Sequence, residues 1–166
     1  MLRTHESFLV QEELLPQSLL KPFNFYTLRD TSTEFRSEFN RILIANNNGD
    51  FKPNGRTPEQ MKICSDFGFA AEAWMVLNGA VPDVRKYRDA YILRDGILIP
   101  IDVKCKEKRH EHISTYTVPD INSKLNGDFK EEWKDLKELY VWEYDQDTGD
   151  VTFWKAIEIR DSRLED

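Results

Sequence analysis

The stretch Tyr87-Arg88-Asp89-Ala90-Tyr91-Ile92-Leu93-Arg94-Asp95-Gly96-Ile97-Leu98-Ile99-Pro100-Ile101-Asp102-Val103-Lys104 decides how this chain folds. Asp95-Gly96 lies between two apolar runs, the strongest short-range signal for a β-hairpin. With a two-residue loop, Arg94 faces Ile97, and each step outward adds one pair, so Asp89 lands opposite Asp102. Two carboxylates with Cβ atoms roughly 5 Å apart repel each other across a sheet. A divalent cation between them turns that liability into a site. Lys104, two residues past Asp102, projects from the same strand face.

Toward the N-terminus, the best-defined helix precedes the hairpin. Thr57 is its expected N-cap, Pro58 its first residue, Gln60 completes a capping box, and Asn78-Gly79 stops it. Ile63, Phe67, Ala70, Trp74 and Leu77 form its main apolar stripe. Between Phe67 and Ala80 the only charged residue is Glu72, on the far side from that stripe. Its helical neighbours Gly68, Phe69, Met75 and Val76 are apolar or small, so this half of the helix reads as covered on most sides. A carboxylate there either reaches solvent along an edge or needs a partner. Earlier still, Thr4 suits the cap of a short helix ending at Pro16, and residues 16–31 read as irregular or extended. Thr31-x-x-Glu34 is a capping box for a helix through Phe35, Phe39, Ile42 and Leu43, ended by Asn46-Asn47-Asn48-Gly49.

Toward the C-terminus, residues 107–127 show no clear period and read as a loop or lid. Asp128 or a neighbour begins a charged amphipathic helix, Phe129 to Leu139, with Phe129, Trp133, Leu136 and Tyr140 on one side. Residues 140–144 and 151–154 read as strands joined by a turn at Asp147–Asp150. Trp133, Trp142 and Trp154 read as core residues rather than base-stacking platforms. The element order gives an α/β or α+β domain with a mixed central β-sheet flanked by helices.

The 166 residues suit one domain, with enough length for a substantial core. Hydrophobic content of 40% and charged content of 32% describe an ordinary globule, and no apolar run approaches a membrane span. The first residues carry acid and lack a signal-peptide core. Cys64 and Cys105 lack metal-type spacing and suit free buried thiols in a cytoplasm. The net charge of −7 argues against a nucleic-acid partner until its distribution is considered. Residues 128–166 hold 13 acids and 6 bases, leaving the first 127 neutral, with 17 of each. Bases gather beside the paired acids: Arg85, Lys86 and Arg88 on one side, Lys104, Lys106, Lys108 and Arg109 on the other. Such a patch can meet phosphates, or it is a solvated strand end.

A helix carboxylate, a strand carboxylate and an Asp-x-Lys on the paired strand, in this order, resemble the PD-(D/E)XK nuclease superfamily, the restriction-endonuclease-like fold. The matching residues are Gly68-Phe69-Ala70-Ala71-Glu72, Arg88-Asp89-Ala90-Tyr91 and Ile101-Asp102-Val103-Lys104. The resemblance covers roughly residues 57–141 and is closest to small phage or mobile-element members. It implies a single domain, with residues 1–56 as a family-specific N-terminal extension and 57–160 as the nuclease-like core. It implies an Mg²⁺-dependent deoxyribonuclease, with Mn²⁺ as a substitute metal. Asp89, Asp102 and the Val103 carbonyl would hold the metal, and Glu72 would bind a second ion or orient water. Lys104, its pKa pushed down by the nearby cation, would orient or deprotonate the attacking water or stabilise charge. Arg88, Lys106, Lys108, Arg109 and His112 would contact DNA, Lys106 being equally well an exposed strand-end lysine and Tyr116 another candidate. His110 and His112 alone make no transition-metal site. A literal Pro82-Asp83 precedes Asp89, so Asp83 is an alternative motif acid if the hairpin register differs. The resemblance leaves open a homodimer, and a catalytically inactive module of the same fold binding nucleic acid or a protein. A third alternative, an unrelated α/β domain with Asp89 and Asp102 as surface acids, requires a different register.

Overall fold

The computed structural model describes residues 5–46, 57–83, 89–108, 122 and 137–161. Seven strands form one sheet: β1 (His5–Leu9), β2 (Phe23–Asn24), β3 (Val81–Pro82), β4 (Ala90–Arg94), β5 (Ile97–Glu107), β6 (Glu138–Tyr144) and β7 (Asp150–Asp161). Among the described residues there are three α-helices: α1 (Phe25–Thr31), α2 (Thr33–Ala45) and α3 (Pro58–Leu77). The sheet order is β1-β7-β6-β5-β4-β3, with β2 also paired to β7. Pairing is antiparallel except between β5 and β6. The chain is therefore an α+β protein built on a mixed, mostly antiparallel sheet.

The hairpin forms as its residues dictate. Asp95 and Gly96 both take positive φ, 52° and 77°, which a two-residue turn of this hand requires. Arg94 faces Ile97 and the ladder runs outward to Ala90 facing Ile101. Arg94 also forks onto Glu138 at 2.7 and 3.2 Å, and the Tyr140 hydroxyl donates to the same carboxylate at 2.9 Å. This ties β4 to the start of β6 across β5.

Helix α3 starts and stops at the expected residues. Gln60 N donates to the Thr57 hydroxyl at 3.2 Å, and Thr57 N donates to Gln60 Oε1 at 3.1 Å. Asn78 is the C-cap, and Gly79 follows at φ 120°. Thr57→Ala is expected to destabilise the protein by about 1 kcal/mol, read as a lower urea midpoint at unchanged slope. An unmoved midpoint would mean that the box contributes nothing.

One sheet face carries the core. Ala90, Ile92, Ile101, Val103, Cys105, Tyr140, Trp142 and Tyr144 alternate along their strands and pack with Phe67, Ala70, Ala71, Ala73 and Met75 of α3. Alanines at three of these helix positions let the helix backbone approach the sheet closely. Phe67 stacks on Tyr144, centroids 4.1 Å apart, and Phe23 stacks on Trp74 at 5.1 Å. Phe25 and Phe35 join the same cluster, so residues 5–46 share one core with the rest of the described chain. Cys64 and Cys105 form no disulfide among the described residues; Cys105 is buried, and Cys64 is half-buried with its Sγ 3.9 Å from Cys105 O.

The structure corrects several N-terminal expectations. Residues 5–9 form a strand, not a helix; their partner is β7, more than 140 residues away, and an edge strand held by backbone bonds needs no strong local pattern. Within residues 16–31 lie a 3₁₀ turn (Gln17–Leu20), β2 and α1. Asn24 caps α1 by accepting from Thr27 N at 2.9 Å, and its amide also donates to Thr148 O and Asp150 Oδ1, each at 2.9 Å. Those partners come from the β6–β7 turn, which is why the local sequence did not announce the helix. Ser32, not Thr31, caps α2. Leu77, placed in the apolar stripe of α3, is exposed at the helix end. Strand β7 runs to Asp161, well past Trp154. The expected helix after Asp128 is overturned at its end, where Glu138, Leu139 and Tyr140 belong to β6 and pair with β5 and β7; residues 128–136 lie outside the described residues. No helix among the described residues is long and apolar enough to cross a membrane.

Candidate functional site

The ladder between β4 and β5 stops one pair short of Asp89 and Asp102. At that point the Asp89 side chain takes over from the backbone: its Oδ2 accepts the Val103 N–H at 2.7 Å. The carboxyl therefore sits beside β5 at the point where the β4 ladder ends. A strand residue directs its N–H and C=O to the same side, so the Val103 carbonyl also points toward the edge that β4 leaves.

Glu72 meets Asp89 from the helix side. It is 5% exposed and does not reach solvent. The Asp89 carboxyl stands between those of Glu72 and Asp102 and feels the negative charge of both, so the three acids form a row through Asp89. Burial pushes the Glu72 pKa up to about 8, against the neighbouring Asp89 carboxyl and the charge of Arg41. Asp89 is raised as well, first by burial, then by the neighbouring negative charges of Asp102 and Glu72, with the Val103 N–H opposing.

On the other side of the row, Lys104 Nζ lies 3.1 Å from Asp102 Oδ2, with the two side chains 32% and 18% exposed. That Asp102 oxygen is buried and accepts no hydrogen bond of good geometry. The donor set is all carboxylate oxygen plus one backbone carbonyl, hard ligands of the type Mg²⁺ takes. The donors fit the ion chemically. Among the described residues, however, no three His, Cys, Asp or Glu side chains gather as a metal-binding cluster. The row is open, and Lys104 stands where a cation would otherwise meet Asp102.

Asp83 does not join this row. It is 4% exposed, lies just past β3, and accepts from the Tyr91 hydroxyl at 3.3 Å. The hairpin register thus brings Asp89, rather than Asp83, to Asp102. Lys106 is buried at 8% exposure, its Nζ 3.9 Å from Glu143 Oε2 and 4.2 Å from the centre of the Trp154 ring. Lys108 is exposed beyond the end of β5 and donates its N–H to Tyr144 O at 2.9 Å. It lines a cavity of about 340 Å³ together with Glu143, Asp145 and Asp150, a setting too acidic for phosphate. Arg88, Arg109, His112, His110, Tyr116 and Trp133 lie outside the described residues.

Two features of the site have no local signal in the sequence. Arg41 and Glu38 of α2 place their charges within reach of Glu72, and Arg41 Nε holds Glu38 Oε1 at 2.7 Å. Only the packing of α2 on α3 brings them there. Trp154, expected in the core, is 36% exposed, whereas Trp142 is fully buried. No protein-family model matches this chain, and no curated protein matches it either.

Proposed function

We propose that this chain is a metal-dependent endonuclease of the restriction-endonuclease-like fold that hydrolyses DNA phosphodiester bonds. The observation that carries the reading is the row Glu72–Asp89–Asp102, with Glu72 buried, Asp89 pressed by the negative charges on either side of it, and Lys104 beside Asp102. Three neighbouring acids cost a fold stability unless something compensates them, and perturbed carboxyls cluster at functional sites, which supports the reading. Asp89, Asp102 and the Val103 carbonyl would hold Mg²⁺ or Mn²⁺, with Glu72 serving a second ion or a water. When bound, the metal supplies charge neutralisation at the phosphate. Lys104, released from Asp102, orients or deprotonates the attacking water or stabilises developing charge. With this activity goes a proposed cytoplasmic location, in a bacterial or phage-infected host cell. Cutting both strands of a duplex calls for two such sites, which a homodimer provides.

The open row and the 3.1 Å contact of Lys104 with Asp102 favour a second reading, an inactive module of this fold that binds nucleic acid or a protein. Incubation with plasmid, single-stranded and branched DNA separates the two. Cleavage of at least one substrate is expected with Mg²⁺ or Mn²⁺, and loss of that cleavage in chelator and in Asp102→Asn. Failure to cut any of them at micromolar protein would favour the binding module.

A further inference from the structure

Asp102 and Lys104 are neighbours on one face of β5, and the backbone beneath them is fixed. Asp102 pairs with Leu139 of β6 and Lys104 with Val141. From the other side, Asp89 holds the Val103 N–H that lies between them. Asp102 therefore cannot retreat from Asp89, and the negative charges of the two carboxyls press on each other. The Lys104 ammonium answers that charge, 3.1 Å from Asp102 Oδ2. It rides on a flexible four-carbon stem. Its side chain is 32% exposed, so it can swing into water without moving the strand. Lys106, next on the same face, differs: it is buried and held at Glu143.

We infer that the Lys104–Asp102 ion pair is an autoinhibitory latch on the cation site. In the resting protein the ammonium is the counter-ion of Asp102, and Asp102 accepts a divalent cation only as Lys104 gives way. The inference rests on the metal-dependent reading above and adds its regulation. An ammonium and a divalent ion on one carboxylate stand a few Å apart, where like charges repel strongly. Cation affinity is therefore lowered by the fraction of molecules in which Lys104 is turned away. The buried Oδ2 strengthens the latch, because an oxygen shielded from water loses more when its counter-ion leaves. Lys104 stays tied to Asp102 in cation-poor protein and is freed, beside the ion, when the site fills. A lysine that merely supported the site would weaken cation binding on removal. The latch predicts the opposite sign.

The test is calorimetric titration of the full chain with Mn²⁺ in the absence of DNA, with DNA cleavage measured separately. Lys104→Met is expected to bind Mn²⁺ roughly tenfold tighter than wild type. Lys104→Gln gives the same comparison with a neutral polar side chain. Lys104→Arg, which keeps the charge, is expected to gain nothing. Lys108→Met, which removes an exposed charge just past the end of β5, is expected to gain nothing either. Melting supplies a second readout: Lys104→Met should melt roughly 5 °C below wild type in chelator and recover more than wild type gains when Mn²⁺ is added. Equal or weaker Mn²⁺ binding in Lys104→Met, the same gain in Lys108→Met, or no Mn²⁺ binding by either wild type or Lys104→Met would each overturn the latch. DNA cleavage by wild type with no gain in Lys104→Met would sink the latch alone. Tighter Mn²⁺ binding in Lys104→Met, with no DNA cut by wild type, would sink the nuclease reading alone.

Discussion

Lys104→Ala is expected to cut DNA cleavage by roughly a thousandfold, the scale on which one charge-stabilising or proton-transferring group contributes, while the fold remains. Lys104 projects from β5, the longer strand of the β4–β5 hairpin, with its side chain 32% exposed and its Nζ near Asp102. Its partner oxygen on Asp102 is buried, so losing the ion pair leaves that carboxylate uncompensated and costs up to about 3 kcal/mol of stability. Melting measured beside activity separates the two effects, and Lys104→Arg, which keeps the charge, should restore the stability but not the full rate. Steady-state cleavage at saturating Mg²⁺, together with thermal melting, reads both. A fall in kcat with binding retained is the expected pattern, since Lys104 acts on the reacting groups and not on the docked strand. Full activity in the variant would remove Lys104 from the mechanism.

In metal-free protein, stability is expected to fall as pH rises from about 4.5 to about 8. Burial lifts the Glu72 carboxyl from 4.5 to about 8, so the folded state holds this proton more tightly than the unfolded chain does. The resulting stabilisation is complete below 4.5 and is lost as pH climbs through the folded value, where a buried carboxylate must ionise. Asp89, raised by the same burial, acts in the same direction. Each pH unit in the window removes up to about 1.4 kcal/mol per group, roughly 3 °C of melting temperature for a chain of this size. Glu72→Gln keeps the shape and removes one ionisation. It should melt higher than wild type at pH 8 in chelator and show a flatter pH profile. Adding Mg²⁺ at pH 8 should raise the melting temperature of wild type more than that of Glu72→Gln. A wild-type melting temperature that holds steady or rises between pH 5 and 8 would show that burial does not raise the Glu72 carboxyl.

Much of the site's frame is written locally. Asp95-Gly96 selects a two-residue turn, and a two-residue turn dictates every pair on the hairpin. That is enough to bring Asp89 to the end of β4 beside Asp102, and to put Lys104 on the face of Asp102. Thr57, Pro58 and Gln60 mark one end of α3 and Asn78-Gly79 the other, and the apolar residues around Glu72 signalled a covered carboxylate. The N-terminal strand had no such signal, because β1 is defined by hydrogen bonds to β7 and not by its own composition. The β-bulge that makes Trp154 an extra residue of β7 was equally silent: a one-residue mismatch between β6 and β7 exists only when the two strands are laid side by side.

The sequence by itself determined the elements whose instructions lie within a few residues of one another: the hairpin and its register, the capped helix α3, and the presence of Glu72, Asp89, Asp102 and Lys104 around them. Only the tertiary structure decided how those groups are held. The Asp89 carboxyl replaces a missing backbone partner of Val103, Glu72 is buried against it, and Arg41 approaches from α2. The physical reason is range. Turns and caps are chosen by short-range sterics and hydrogen bonds, while the protonation of a carboxyl depends on how much water its neighbours exclude and which charges packing delivers.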